Sequence, residues 1–260
     1  MVEVVRPRPA WPRRLWLVRH GQSAGNVARD AAEAEGRPLI DIAERDVDVP
    51  LSSLGVRQAR ALGQWFGTLP GDAQPTVVLT SPYRRAIETT EQLAEAGGLS
   101  LSSIAYAVDE RLREKEFGML NRLTRSGIAA QYPDQAALRA HIGKFYYRPP
   151  SGESWCDVLL RLRSVLDDIQ LQFAGERVLV VAHQVIVLCF RYLLERMTEE
   201  QILEIDRRKD VANCSVTWYE RAPGAAGHGE MRLGEYNFVA PLEAAGTPVT
   251  DQPDASVAPR

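Results

Sequence analysis

Two apolar runs, far apart in the chain, stop abruptly at a histidine. Leu15-Trp16-Leu17-Val18 leads into Arg19-His20-Gly21-Gln22-Ser23-Ala24-Gly25-Asn26, and Val178-Leu179-Val180-Val181-Ala182 leads into His183-Gln184. Uninterrupted apolar runs of this length suit parallel strands covered on both faces, and in such sheets ligands bind where the strands end. Gly21 and Gly25 carry little bulk, so backbone N–H groups and the side chains of Gln22, Ser23 and Asn26 can close on a small anion. An imidazole beside a guanidinium at that place points to phosphate.

The segments between these runs read as alternating strands and helices. After Asn26 a short helix passes into an acidic surface excursion that reaches Pro50, and Val56 to Phe66 has helical periodicity. Thr76 to Thr80 is a second strand. It leads into Ser81-Pro82-Tyr83-Arg84-Arg85, where Ser81 is predicted to cap a helix with Pro82 at its first position, closed by Gly97-Gly98. Arg84 and Arg85 then fall in a first turn, where the helix dipole disfavours cations and a bound anion would resolve the conflict. Ile104 to Val108 reads as a third strand, and the charged run from Asp109 to Gly118 as a loop. The stretch from Leu120 to Tyr147 is predicted to be irregularly helical, with Lys144 to Pro150 forming a pocket wall. Ser154 and Asp157 form a capping box ahead of a helix whose core face is Val158, Leu162, Val165, Ile169 and Phe173. Val185 to Leu194 is a buried helix whose N-terminus points at whatever His183 faces, and residues 215–219 and 231–236 are late strands.

With 260 residues, 45% of them hydrophobic and 25% charged, the chain suits one α/β domain. Its formal charge of −3 provides no field for nucleic acid or an anionic membrane, so an anion site must be a local cluster and a phosphorylated small molecule is the expected partner. Cys156, Cys189 and Cys214 lack CxxC spacing and read as free thiols in a reducing cytoplasm. His141 and His228 have no ligand-like spacing with acids or cysteines, so no metal and no other cofactor is expected. No stretch has the length of a membrane span. The expected organisation is a flexible N-terminus over 1–13, a domain over 14–240 and a disordered tail over 241–260, compatible with a homo-oligomer.

The order of motifs carries a resemblance. Arg19-His20-Gly21, then Ser81 to Thr89 with an arginine before Ala86, then Glu114 four residues before Gly118, then Ala182-His183 resembles the histidine phosphatase superfamily, the phosphoglycerate-mutase-like fold, over residues 14–240. The resemblance implies a three-layer α/β/α sandwich with a mostly parallel central sheet. It implies that His20 is a nucleophile that becomes phosphohistidine, that Arg19, Asn26, Arg85 and His183 grip the phosphoryl group, and that Glu114 is the general acid. Arg85 is chosen over Arg84 because it directly precedes Ala86, and Glu114 over Glu110 and Glu116 by its spacing to Gly118. Gln22, Ser23 and Gln184 complete the expected phosphate- and substrate-binding set. Two departures stand out: Gln184 follows His183 where a glycine is usual, and Leu120-Asn121-Arg122 replaces a common acidic–glycine pair. His183-Gln184, with Tyr147-Arg148-Pro149 and Gly152-Glu153-Ser154, is similar to the bisphosphatase domain of the bifunctional enzymes acting on fructose 2,6-bisphosphate. No P-loop is present, so a stand-alone metal-independent phosphatase of a small metabolite such as a sugar phosphate is expected. A phosphoglycerate-type mutase and an inactive phosphate-binding module are the alternatives.

Overall fold

The computed structural model describes residues 10–222 and 230–252. Six strands form one sheet in the order β3-β2-β4-β1-β5-β6. They are β1 (Arg14–Arg19), β2 (Val77–Thr80), β3 (Ala105–Val108), β4 (Arg177–Ala182), β5 (Val216–Arg221) and β6 (Met231–Phe238). The first four in that order run parallel, and β5 and β6 close the far side antiparallel. The mostly parallel sandwich expected from the motifs is the fold observed.

Strand alternation divides the apolar runs between two cores. Leu15, Leu17, Val178 and Val180 face one core with α6 (Trp155–Gln172) and α7 (Gln184–Leu194). Trp16, Val18, Leu179 and Val181 face the other with α2 (Ser53–Thr68) and α3 (Arg84–Gly97). The chain therefore leaves β1 toward one face and β4 toward the other. Arg19 pairs in register with Ala182, so the crevice where the two connections part lies directly beyond His20 and His183. The remaining helices among the described residues are α1 (Ala24–Ala34), α4 (Arg125–Gln131), α5 (Pro133–Ile142), α8 (Glu199–Arg208) and α9 (Ala240–Ala244). None of the helices is long and apolar enough to cross a membrane.

Four expectations need correction. Ser81 does not cap α3, which begins at Arg84 with Tyr83 at the cap position; the Ser81 hydroxyl is taken by His183 instead. In the Lys144–Pro150 stretch, expected to wall a pocket, Phe145 is instead buried in the core with Trp155, and Lys144 pairs with Asp206. The tail is placed as far as residue 252, because Leu242 is fully buried against α2 and the backbone beyond it finds polar partners. Residues 10–13 also pack, with Trp11 against the core and the Arg13 N–H donating to Glu176 at 2.7 Å; residues 1–9 and 253–260 lie outside the described set.

Helices α2 and α3 touch backbone to backbone. A Cβ built on Gly63 would stand 2.2 Å from the Leu93 carbonyl oxygen, and one on Gly97 would stand 2.5 Å from that of Gly63. Only glycine permits this crossing, and neither carbonyl can yield without moving a helix. Gly63→Ala should therefore lower the free energy of unfolding by about 1–3 kcal/mol or more, read from the midpoint of urea denaturation.

Candidate active site

The ends of β1, β4 and β2 lie side by side, and each delivers a polar residue to the same crevice. His20 follows β1 and is fully buried, its N–H donating to the Ala182 carbonyl at 2.9 Å as though the strand continued. Gly21 and Gly55 meet at this point: a Cβ on Gly21 would lie 2.6 Å from the Gly55 carbonyl oxygen, so the loop after His20 rests on the start of α2. Its conformation is then fixed by Gln22, whose N–H donates to Gln58 Oε1 at 2.8 Å and whose Oε1 accepts from Ser52 at 2.7 Å. Ser23 and Asn26 form a reciprocal capping box at the start of α1.

Both ring nitrogens of His20 have partners of defined polarity. Nδ1 lies 2.7 Å from the carbonyl oxygen of Gly21, and Arg85 Nε donates to Nε2 at 3.3 Å. A carbonyl can only accept and a guanidinium can only donate. The two contacts therefore select one neutral tautomer, with the proton on Nδ1 and the lone pair on Nε2.

Arg85 sits in the first turn of α3, buried, with its guanidinium 4.8 Å from the centre of the Tyr83 ring. Its Nη1 donates to the Asp46 carbonyl at 2.7 Å and to Asp46 Oδ1 at 3.0 Å. Arg84, its neighbour, is exposed and pairs with Glu88 at 2.7 Å. Only one of the two adjacent arginines thus reaches the crevice.

His183 is fully buried at the start of α7, its ring centre 5.1 Å from that of His20 and 5.1 Å from that of Tyr83. Its Nε2 lies 2.7 Å from Ser81 Oγ. The first N–H groups of α7 lie beside it, adding the dipole and donors that favour an anion. Gln184, one residue on, donates to Asp210 at 2.7 Å. Arg19 is fully buried, and its guanidinium donates to the carbonyls of Val211 and Gln252.

Glu114 is buried, with Oε1 accepting the Lys115 N–H at 2.8 Å. Its loop is braced by Glu153, which pairs with Arg113 at 3.0 Å and Arg161 at 2.9 Å and accepts the Glu116 N–H at 3.0 Å. Beyond Arg85 and Ser23 opens a pocket lined by Ile40, Ile42, Val49 and Phe117 on its apolar side and by Glu44 and Asp46 on its acidic side. Among the described residues no three His, Cys, Asp or Glu side chains are grouped as for a metal ion.

Sequence reading missed Ser81, Tyr83 and Asp46 as members of this site. The signal for Ser81 was present, since it directly follows a strand as His20 and His183 do, but its fit to a helix cap hid it. Asp46 lay in a charged loop with no pattern to distinguish it.

The family profile described as "Histidine phosphatase superfamily (branch 1)" matches residues 15–228. The chain belongs to the histidine phosphatase superfamily. It is 32% identical over 190 residues to 6-phosphofructo-2-kinase/fructose-2,6-bisphosphatase of Gallus gallus, a match that covers 73% of this chain and 34% of that protein. The chain thus spans about a third of the length of that curated relative. It is 28% identical to the phosphoglycerate mutase-like protein AT74H of Arabidopsis thaliana, over 90% of this chain and 80% of that one. Among solved structures, a mycobacterial glucosyl-3-phosphoglycerate phosphatase superposes with a TM-score of 0.63 at 27% identity, covering 87% of this chain and 99% of the other.

Lys115, next to Glu114, is almost fully buried, its Nζ 4.3 Å from the centre of the Phe117 ring. Burial pulls its ammonium down to about 8, against the attraction of Glu114 and Glu153. Below pH 8 the lysine is charged in both the folded and unfolded chain, and the fold bears the cost of burying that charge. Between pH 8 and its unfolded value of 10.5 the unfolded chain binds more protons, so stability should rise with pH across that window. Relative to Lys115→Met, the unfolding free energy of the wild type should climb by on the order of 3 kcal/mol from pH 7 to pH 10.5, checked by denaturant titrations at each pH.

Proposed function

We propose that this protein is a metal-independent phosphatase that hydrolyses a small phosphomonoester, of the sugar-phosphate class, through a phosphohistidine on His20. The observation that carries the reading is the tautomer of His20. With Nδ1–H held by the Gly21 carbonyl, the lone pair of Nε2 faces the crevice, where Arg85 already directs an N–H at it. A phosphoryl group entering between these two side chains meets a nucleophile on one side and a cation on the other.

Phosphoryl transfer asks for positioning and charge stabilisation more than for covalent assistance, and fixed donors around the equatorial oxygens supply most of it. Arg85, His183 and the N-terminus of α7 fill that role here, with Arg19 and Asn26 assigned to it by the family motif. As Nε2 bonds to phosphorus the imidazole becomes cationic, and the Gly21 carbonyl stabilises its Nδ1–H. Glu114 gives its proton to the departing alkoxide and then takes one from the water that attacks the phosphohistidine.

The leaving group is assigned to the pocket beside Arg85. Its aliphatic and aromatic side can meet the C–H face of a sugar, and the Glu44 and Asp46 carboxylates can accept hydrogen bonds from hydroxyls. Fructose and glucosyl groups in the names of two relatives support the same class.

His20→Ala should yield no acid-labile, base-stable phosphoenzyme after rapid quench with labelled substrate. His183→Ala removes one donor and should still form it, about 10²–10³ times more slowly. Label recovered on His183 in place of His20 would reverse the roles.

Glu114→Gln should slow turnover of an alkyl phosphate strongly and that of p-nitrophenyl phosphate far less, because the aryl oxide leaves with little protonation. Equal losses on both esters would move the acid to Glu110 or Glu116.

A further inference from the structure

Arg122 holds a backbone conformation that side chains avoid. Its φ is 65°, in the left-handed region, where a Cβ crowds the following carbonyl and glycine would sit without penalty. A strained non-glycine residue at the rim of a site calls for a reason in its side chain. The Arg122 guanidinium donates to the carbonyl of Ile42, across the pocket rim.

That contact finishes a seam. The Ile40 N–H donates to the Arg122 carbonyl at 2.9 Å, and Leu39 and Leu123 form an antiparallel bridge. The Thr124 N–H donates to Pro38 at 3.0 Å, and its hydroxyl to the Arg37 carbonyl at 2.7 Å. Residues 37–42 are thereby sewn to 122–124, and the last fastening, at Ile42, is made by the Arg122 side chain. Past Ile42 the segment continues through Glu44 to Asp46, which pairs with Arg85.

We propose that Arg122 is a positioning residue for substrate specificity, a latch that holds the 37–46 wall closed on the leaving group while making no contact with the reacting atoms. This rests on the reading of the pocket beside Arg85 as the leaving-group site. Hydrogen bonds with residues 122–124 fix the wall as far as Ile40 and Arg85 holds Asp46, so the stretch between them, Ile42 to Glu44, depends on the latch. The positive φ is the cost of aiming a long donor at that carbonyl.

Arg122→Gly relieves the backbone and removes the latch; Arg122→Asn tolerates the left-handed conformation and is too short to reach; Arg122→Lys keeps one donor. The measurements are KM and kcat for p-nitrophenyl phosphate, Ki for inorganic phosphate, which occupies the phosphoryl site alone, the melting temperature, and the rate of tryptic cleavage after Arg45. In Arg122→Gly and Arg122→Asn, KM should rise roughly tenfold, equivalent to about 1.4 kcal/mol of binding, with kcat and the phosphate Ki little changed. Cleavage at Arg45 should quicken, the melting temperature of Arg122→Gly should not fall, and Arg122→Lys should recover most of the KM. An unchanged KM, a phosphate Ki that rises in step with it, or a lowered melting temperature would overturn the latch. If the wild type released no phosphate from the ester, the functional reading would fall instead, and the tryptic rates would still decide whether Arg122 closes the wall: equal rates would refute it.

Discussion

The hydrogen bond between the Nδ1–H of His20 and the carbonyl of the next residue is the interaction on which the rest depends. In the other neutral tautomer the imidazole would present a proton to the crevice in place of the lone pair and could not act there as a nucleophile. The bond is local, spanning one residue, yet it forms only because Gly21 lies flat against Gly55 and Gln58 holds the N–H of Gln22. A side chain at either glycine would lift the loop and turn the Gly21 carbonyl away. The chemistry of the ring is thus decided by the packing of a loop on the start of a helix.

Burial makes that decision consequential. His20, His183, Ser81 and Arg19 are all inaccessible to solvent, so each polar atom must be satisfied by the protein or by what it binds. Ser81 on His183, Asp46 on Arg85 and Glu153 on the loop of Glu114 hold the site in shape from three directions. Asp46 combines two tasks, since its carboxylate orients Arg85 while also lining the pocket beyond it.

Much of this was legible in the sequence because parallel strands write themselves plainly: an apolar run with an abrupt polar end marks both a strand and the place where it delivers chemistry. Residues set by that rule, His20 and His183, were read directly. Arg85 and Glu114 needed the family pattern, since helix-end and charged-loop statistics alone left Arg84, Glu110 and Glu116 in contention; burial of Arg85 and exposure of Arg84 separate the first pair in the structure. Ser81 was misread because the same Ser-Pro signal serves a helix cap and a strand end, and a local pattern cannot see a histidine 102 residues away. The tail was misread for a related reason. Its composition is that of a disordered segment, but its order comes from single polar contacts to distant residues, which leave no periodicity behind.

Those contacts tie residues 248–252 to the loop after β1 and the start of α2. Gln58 spans the Gln22 N–H on one side and the Pro248 carbonyl and Thr250 hydroxyl on the other; Asn213 holds the His20 carbonyl at 3.0 Å and accepts from Thr250 at 2.9 Å; Arg19 reaches the Gln252 carbonyl. The loop after β1 that carries His20 is thus completed on its underside by residues far along the chain. The pairing of β1 with β4 needs none of residues 248–252, whereas Gln58, Asn213 and Arg19 find these partners only there. A chain cut before residue 248 would carry every motif residue and lack the contacts that hold the His20 loop from below.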